Sequence, residues 1–206
     1  MRTLMNEQVR RFTLSGMVVD VGGGRYPSYM DCFLRRIPFE RISVDRVTHA
    51  DTLSRLIDIE RDPLPFADGT ADNVLLFNIL EHVFEYGHVL REVRRILKLN
   101  GVVYGFVPFL INYHPDPHDF FRYTHESLRR LFGNAGFEVV ELASVGDCPF
   151  SVAYNTFTSI AAPLSFFLAV LYPVAYALDR FYGAFRSSVR ERFPLGYFFV
   201  LHQNNI

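Results

Sequence analysis

The stretch VDVGGGRYP, Val19 to Pro27, joins the end of an apolar run to three consecutive glycines. The run Met17 to Val21 predicts a first β-strand, and the glycines after it predict either a tight strand-to-helix turn or a loop whose backbone approaches a ligand. A dinucleotide-binding loop has the spacing G-x-G-x-x-G, but here Pro27 stands at the place of the last glycine. The match to a dinucleotide-binding loop is therefore weak, and a nucleoside without a pyrophosphate could also use these glycines, with Asp20 before them to order the loop.

Apolar runs and segments of helical period alternate along the rest of the chain. Further strands are predicted at 41–45, 56–59, 73–80, 101–109, 137–145 and 195–202, and helices at 4–13, around 88–98 and at 126–135. This alternation is typical of a parallel sheet covered by helices. The sequence predicts a single α/β domain over residues 1–206, with a Rossmann-like, mostly parallel sheet of seven strands flanked by helices.

Composition limits the kinds of molecule that the protein is expected to bind. The 206 residues carry a formal charge of −1, and 50% of them are hydrophobic. This balance lacks the basic surface expected of a protein that binds nucleic acid. The two cysteines, Cys32 and Cys148, have no zinc-type spacing, so no metal is predicted. The N-terminus lacks the apolar core of a signal peptide, so we expect a cytoplasmic protein.

A carboxylate at the end of the second strand fits a nucleoside. Asp45 follows Gly22 by 23 residues. At that position an acid can accept hydrogen bonds from ribose hydroxyls. Binding sites for a nicotinamide cofactor and for a simpler nucleoside share such an acid, so Asp45 does not distinguish between these two ligands.

Two downstream segments decide between these ligands. The chain reads DIERDPLPFADGTADNVLLFNILEHV from Asp58 to Val83 and LREVRRILKLNGVVYGFVP from Leu90 to Pro108. In order and spacing, the region 18–145 resembles the class I S-adenosylmethionine-dependent methyltransferases that carry LPF-x-D, LEHV and HDFFRYT segments. The resemblance implies a seven-stranded fold of that class, methyltransferase activity and S-adenosylmethionine as the cofactor.

The resemblance also assigns roles to single residues. Asp20, Gly22 and Gly24 would form the loop around the methionine part of the cofactor, and Asp45 would bind the ribose. Asp58 would accept a hydrogen bond from the adenine amino group, with Ile59 beside the ring and Asn78 beside the methionine moiety. Tyr26 stands where the family often has a third glycine.

Each of these residues also has a structural explanation. Asp20 can cap a turn, and Asp58 can be an ordinary surface carboxylate. Glu81 and His82 can begin a helix, where an acid is favoured by the helix dipole. For His82 we prefer this structural role.

The segment INYHPDPHDFFRYTHE, residues 111–126, is the best candidate for the acceptor site because it concentrates titratable and aromatic side chains after strand five. His118 or Asp119 is the predicted general base, and His114, Arg122 and Tyr123 are the predicted substrate-binding residues. Alternation with prolines also allows His114, Asp116 and His118 to chelate a metal. Asp119 and Arg122 can instead pair to brace the loop.

An apolar helical insertion is predicted at 150–192, before the last strand. No charged residue occurs between Asp147 and Asp179. A helix from Pro163 to Tyr182 has the length of a membrane span. However, the last strand must return to the sheet, between strands five and six in this class. We expect the insertion to cover the acceptor site and, through 157–185, to contact a membrane surface or a second copy of the chain, the alternative being a helix buried in the protein's own core.

The sequence thus predicts a methyltransferase that acts on oxygen or nitrogen of a small-molecule acceptor, sugar-containing or lipid-linked. It is expected in the cytoplasm, with peripheral contact to the inner face of a membrane. A non-catalytic protein of the same fold is the alternative, and a nicotinamide-dependent oxidoreductase is disfavoured by Pro27.

Overall fold

The computed structural model describes residues 2–24, 27–34, 39–45, 54–146, 149–160, 171, 173–181 and 192–204. Seven strands, four α-helices and a further helical segment at 173–181 are defined within these ranges. The strands are β1 (Gly16–Val21), β2 (Phe39–Asp45), β3 (Ser54–Leu56), β4 (Ala71–Phe77), β5 (Leu97–Pro108), β6 (Phe137–Val145) and β7 (Gly196–Gln203). The helices are α1 (Arg2–Val9), α2 (Tyr86–Ile96), α3 (His125–Asn134) and α4 (Pro149–Ile160).

The strands form one sheet in the order β3-β2-β1-β4-β5-β7-β6. The pairs from β3 to β5 are parallel, whereas β7 lies antiparallel between β5 and β6. The reversal of strand order between β1 and β4 creates a crevice at the carboxyl ends of the strands, where α/β folds bind ligands. The Rossmann-like α/β fold expected from the sequence is confirmed, as is the insertion of the last strand between strands five and six.

The sheet separates two apolar cores because successive side chains of a strand point to opposite faces. On one face, α2 and α3 pack through residues such as Ile96 and Phe132. On the other, α1 packs with Leu14 and the aromatic side chains that follow the glycine stretch. β7 serves both cores, since Phe199 belongs to the first and Phe198 to the second.

Several predicted element boundaries differ from the structure. The third strand was predicted at 56–59 but spans Ser54–Leu56. The short turn Leu80–His82 is a 3₁₀ helix, so Glu81 and His82 do not begin α2, which starts at Tyr86. Thr124 is the N-cap of α3, as expected, and its side chain accepts a hydrogen bond from the Ser127 backbone at 3.2 Å.

The insertion is helical where the structure describes it. α4 and the helical residues 173–181 are joined by Asp179, whose carboxylate accepts hydrogen bonds from the Phe150 and Ser151 backbone at 3.1 and 2.8 Å. Within the described ranges, none of the helices is long and apolar enough to cross a membrane. Half of the predicted span 163–182 lies outside the described residues, as do Tyr26 and Cys148.

Candidate active site

The predicted site residues gather where β1, β2, β4 and β5 end. β1 ends at Val21, β2 at Asp45, β4 at Phe77 and β5 at Pro108, and these four strands are parallel. Their carboxyl ends therefore meet at one edge of the sheet. The glycine turn 22–24, the turn 78–82 after β4 and the loop 109–124 after β5 lie at this edge.

The glycine turn needs glycine for two separate reasons. Gly22 and Gly24 have φ angles of +70° and +59°, in the left-handed region that side chains disfavour. A Cβ atom on Gly23 would lie 2.1 Å from the Asp20 carboxylate, and one on Gly22 would lie 2.0 Å from Ile79. The turn is therefore closely packed on the protein side, and its glycines are required by geometry.

The buried side chain of Asp20 holds the glycine turn 22–24 in place. Its side chain is fully buried and accepts hydrogen bonds at 2.8 Å from the Tyr29 hydroxyl and from Nε of Arg41. Arg41 also donates to the Gly24 carbonyl oxygen at 2.7 Å. Because a buried carboxylate requires such partners, Asp20 positions the predicted cofactor loop rather than only capping a turn. The sequence prediction missed Tyr29 and Arg41.

The predicted ribose and adenine residues lie on neighbouring strand ends. Asp45 is the last residue of β2 and is in register with Leu56 of β3, two positions before Asp58. Its side chain lies outside the described part of the structure. The Asp58 carboxylate accepts a hydrogen bond from the Glu60 backbone at 3.1 Å and remains 40% exposed. Ile59 packs against the core.

Asn78 has an unusual backbone at the end of β4. It is the one non-glycine residue of positive φ, +55°, within the described ranges. Its amide nitrogen donates weakly to the Met5 sulfur at 3.8 Å. Its Oδ1 atom is buried without a hydrogen-bond partner among the described residues. Both strain and an unpartnered polar atom are typical of a ligand-binding position.

The loop after β5 is fastened to the turn after β4. The Glu81 carbonyl oxygen accepts hydrogen bonds from the Phe120 and Phe121 backbone at 2.7 and 3.3 Å. The Leu80 carbonyl oxygen accepts one from the Tyr123 hydroxyl at 3.0 Å. These bonds hold the predicted acceptor loop at the same edge as the cofactor residues.

Asp119 pairs with Arg122 instead of facing an acceptor. Nη1 and Nη2 of Arg122 donate to the two carboxylate oxygens at 2.5 and 2.6 Å, and the Asp119 side chain is 1% exposed. Arg122 and the His114 backbone, which donates at 2.9 Å, lower the pKa of Asp119 to about 2. The structure thus corrects the prediction of Asp119 as a general base, because so weak a base would not accept a proton near neutral pH. Asp119 and Arg122 brace the loop.

Tyr123 is also structural. Its ring is buried and its hydroxyl is bonded to Leu80. Burial raises the pKa of this hydroxyl far above its usual value. The residue holds the loop and does not offer its hydroxyl to a substrate. The side chain of His118 is exposed, and its carbonyl oxygen lies 2.5 Å from Nδ1 of His82.

A cluster of Glu81, His82 and His114 lies between the two segments. Nε2 of His82 and Nε2 of His114 lie 3.7 and 3.9 Å from Oε1 of Glu81. The interaction with Glu81 is the main cause that raises the pKa of His114 above its ordinary value. Sequence reasoning placed His114 in the acceptor site but missed Glu81, because a charged residue between Leu80 and His82 resembles an exposed helix-start residue. The full burial of Glu81 follows from the loop packed over it.

Known proteins give independent findings on this fold and site. Residues 19–105 match the family described as a methyltransferase domain. No curated protein matches the chain.

Solved structures of similar fold cover nearly the whole chain. A SAM-dependent methyltransferase from Archaeoglobus fulgidus is 18% identical with a TM-score of 0.64, over 98% of this chain and 95% of its own. A putative methyltransferase from Haloferax volcanii, solved in complex with the Trm112 activator, is 19% identical with a TM-score of 0.62, over 99% and 91%. The 1,6-didemethyltoxoflavin-N1-methyltransferase of Burkholderia thailandensis, solved with S-adenosylhomocysteine, is 15% identical with a TM-score of 0.54, over 92% and 71%.

The family match covers the glycine turn, Asp45, Asp58 and Asn78, which are the predicted cofactor residues. The shared fold extends over the remaining elements. The methyltransferase-domain match supports S-adenosylmethionine as the cofactor, and the solved structures show that the fold is shared.

Proposed function

We propose that this protein transfers a methyl group from S-adenosylmethionine to an oxygen or nitrogen atom of a small-molecule acceptor. The observation that carries the proposal is the glycine turn 22–24, which opens at the reversal of strand order between β1 and β4 within the methyltransferase-domain match. A bound S-adenosylmethionine supplies an electrophilic methyl group on a sulfonium. The protein's own residues bind and orient the two reactants.

The described residues fit this cofactor. The turn 22–24 presents backbone without side chains, which permits close approach of the methionine part. The unpartnered Oδ1 of Asn78 can accept a hydrogen bond from the cofactor's α-amino group. We assign the ribose hydroxyls to Asp45 and the adenine amino group to the exposed carboxylate of Asp58, with Ile59 beside the ring.

The acceptor is proposed to bind between the turn 78–82 and the loop 109–124. A bound S-adenosylmethionine would give up its methyl to the acceptor atom and leave as S-adenosylhomocysteine, and the acceptor would lose a proton to a side chain of the loop. The loop braced by Asp119 and Arg122 excludes water and holds the acceptor in line with the methyl. The imidazoles of His114 and His118 are the loop's candidates for receiving the proton.

We propose a sugar-containing or lipid-linked acceptor, handled in the cytoplasm close to the inner face of a membrane. The insertion supports this location, since it exposes large apolar side chains such as Phe157 and Phe181, which are 65% and 67% exposed. The same surface suits contact with a second copy of the chain. Cosedimentation with anionic vesicles and measurement of the oligomeric state separate these two uses.

Calorimetric titration with S-adenosylhomocysteine tests the cofactor. We expect a dissociation constant in the micromolar range, about −8 kcal/mol of binding free energy. Asp45→Ala should weaken binding more than about tenfold through loss of the ribose hydrogen bonds, whereas Asp68→Ala, at an exposed site before β4, should not.

Preferential binding of NAD, or no binding of either nucleoside, would contradict the proposal. Binding of S-adenosylhomocysteine without methyl transfer to any sugar or lipid-linked acceptor tested would favour the alternative, a non-catalytic protein that interacts through its insertion.

A further inference from the structure

Three potential metal ligands converge beside the proposed acceptor site. They are the carboxylate of Glu81 and the imidazoles of His82 and His114. One ligand atom of each lies within 4.8 Å of the others. Two come from the turn after β4 and one from the loop after β5, and the backbone bonds from Phe120 and Phe121 to Glu81 hold these segments together.

Backbone carbonyls fix the orientation of both imidazole rings. Nδ1 of His82 lies 2.5 Å from the His118 carbonyl oxygen, and Nδ1 of His114 lies 3.1 Å from the Asn112 carbonyl oxygen. Because a carbonyl oxygen only accepts hydrogen bonds, Nδ1 of His82 carries a hydrogen, and in the neutral ring its lone pair is on Nε2. Nδ1 of His114 lies close both to the Asn112 carbonyl oxygen, which accepts, and to Nη2 of Arg122, which donates at 3.3 Å, so its contacts permit either tautomer. In both rings Nε2 is the nitrogen close to Glu81. A ring that donates through one nitrogen to a carbonyl while the other nitrogen stays free is the arrangement found in metal-binding histidines.

The Glu81 carboxylate is buried, and among the described residues no hydrogen bond offsets the loss of its hydration. Glu81 is fully buried, and neither of its oxygens has a hydrogen-bond partner among the residues that the structure describes. The nearest imidazole nitrogens, at 3.7 and 3.9 Å, are beyond hydrogen-bond distance. A buried carboxylate is stable only when it is paired, hydrogen-bonded or bound to a metal.

We propose that Glu81, His82 and His114 bind a divalent transition-metal ion of the Zn²⁺ type. Two imidazoles and one carboxylate suit Zn²⁺, whereas Mg²⁺ prefers oxygen ligands throughout. Bond lengths near 2 Å place tetrahedral ligands about 3.3 Å apart. The present separations would contract by about half an ångström for two of the pairs. This differs from the set considered from sequence, in which His114 was grouped with Asp116 and His118.

Three protein ligands leave one coordination position open. An acceptor hydroxyl in that position would lose its proton more easily, because a bound cation stabilises the oxyanion. This catalytic role rests on the proposed function, and because His114 would bind the metal, it leaves His118 as the imidazole of the loop that receives the proton. The metal site itself rests only on the three side chains.

Zn²⁺ titration of the tag-free, chelator-treated protein tests the site. We expect one tightly bound Zn²⁺ per chain, little affected by excess Mg²⁺. Replacement with Co²⁺ should give the visible absorption of a four-coordinate site. Glu81→Gln and His114→Asn should each weaken Zn²⁺ binding by about 100-fold or more, since each removes a direct ligand.

His118→Asn is the matched control, because it removes a histidine from the same loop but outside the cluster. It should bind Zn²⁺ as the wild type does. The proposal is overturned if the wild type binds no stoichiometric Zn²⁺, or if all three variants bind alike. If Glu81→Gln does not fold, as judged by circular dichroism, the Zn²⁺ affinities of His114→Asn and His118→Asn are compared, and equal affinities overturn the proposal. Zn²⁺ binding without S-adenosylhomocysteine binding would keep this site and reject the proposed function.

Discussion

At the scale of single residues, the charges of the loop after β5 are used for bracing. Asp119 is almost fully buried and has a bidentate partner in Arg122, 26% of which is exposed. A partnered carboxylate of this kind contributes to stability only while it is ionised. The loop's geometry should therefore depend on pH.

We predict that Asp119→Asn lowers the free energy of unfolding by about 1.5–3 kcal/mol at neutral pH, the range for hydrogen bonds to a charged group. The folded-state pKa of Asp119, about 2, lies below its ordinary value of 3.8. The contribution is thus fully present above pH 3.8 and is lost as the pH falls through about 2. Urea unfolding over this pH range should show the difference between wild type and variant shrinking in acid.

The exposed Asp116 provides the comparison in the same loop. Asp116→Asn should leave the free energy of unfolding nearly unchanged at neutral pH. A difference for Asp119→Asn that stays constant down to pH 2 would show that the ion pair does not stabilise the fold.

At the scale of elements, the junction of β1 with the glycine turn links stability to binding. The turn packs directly on the Asp20 carboxylate, which Tyr29 and Arg41 hold in place. No shift of a flexible side-chain end can relieve a clash there, because the carboxylate is buried and bonded. The element therefore tolerates only glycine at position 23.

Gly23→Ala is predicted to destabilise the protein by about 1–3 kcal/mol, the usual cost of overpacking, and to weaken S-adenosylhomocysteine binding. Its Cβ would lie 2.1 Å from the Asp20 carboxylate. Thermal unfolding and calorimetric titration measure the two effects.

Gly133→Ala is the control, since no described atom lies within 4 Å of the added Cβ in α3. Helix propensity predicts that this variant is stabilised by up to about 1 kcal/mol, with unchanged binding. Equal behaviour of the two variants would show that the turn is not packed as described.

Sequence patterns predicted most elements because their causes are local. The apolar runs of β1, β4 and β6 and the Thr124 cap of α3 each depend on neighbours within a few residues. The third strand was misplaced and the 3₁₀ turn after β4 was not predicted, because both are short and their ends are set by packing rather than by periodicity.

At the scale of the whole molecule, the sheet divides the apolar interior into two layers with different helices. Ile96 belongs to the layer of α2 and α3, and Leu14 to the layer of α1. Both side chains are fully buried. Substitutions in different layers share no packing partners, so their effects on stability should add.

Ile96→Val and Leu14→Ala are predicted to cost about 0.5–1.5 and 2–5 kcal/mol, with a double variant equal to their sum within about 0.5 kcal/mol. Equilibrium unfolding of the four proteins measures this. In contrast, Phe132→Leu and Phe199→Leu, whose rings lie 4.7 Å apart in one layer, should be coupled by about 0.5–1.5 kcal/mol. Strong coupling across the sheet would mean that the layers are not independent.

The sequence by itself determined the α/β class, the position of the glycine turn and the placement of Asp45 and Asp58 near strand ends. Strand periodicity and the conformational freedom of glycine act over short distances, so they can be seen in the order of residues. Resemblance to a family with the same order of motifs then indicated the cofactor.

Only the tertiary structure decided which side chains meet. Arg41 reaches Asp20 from the neighbouring strand, and His114 reaches Glu81 from a loop 33 positions along the chain. Full burial of Glu81 and the pairing of Asp119 with Arg122 also depend on how the loop 109–124 folds over the turn after β4. These contacts join distant parts of the chain, and their distances are set by packing and backbone hydrogen bonds rather than by spacing in the sequence.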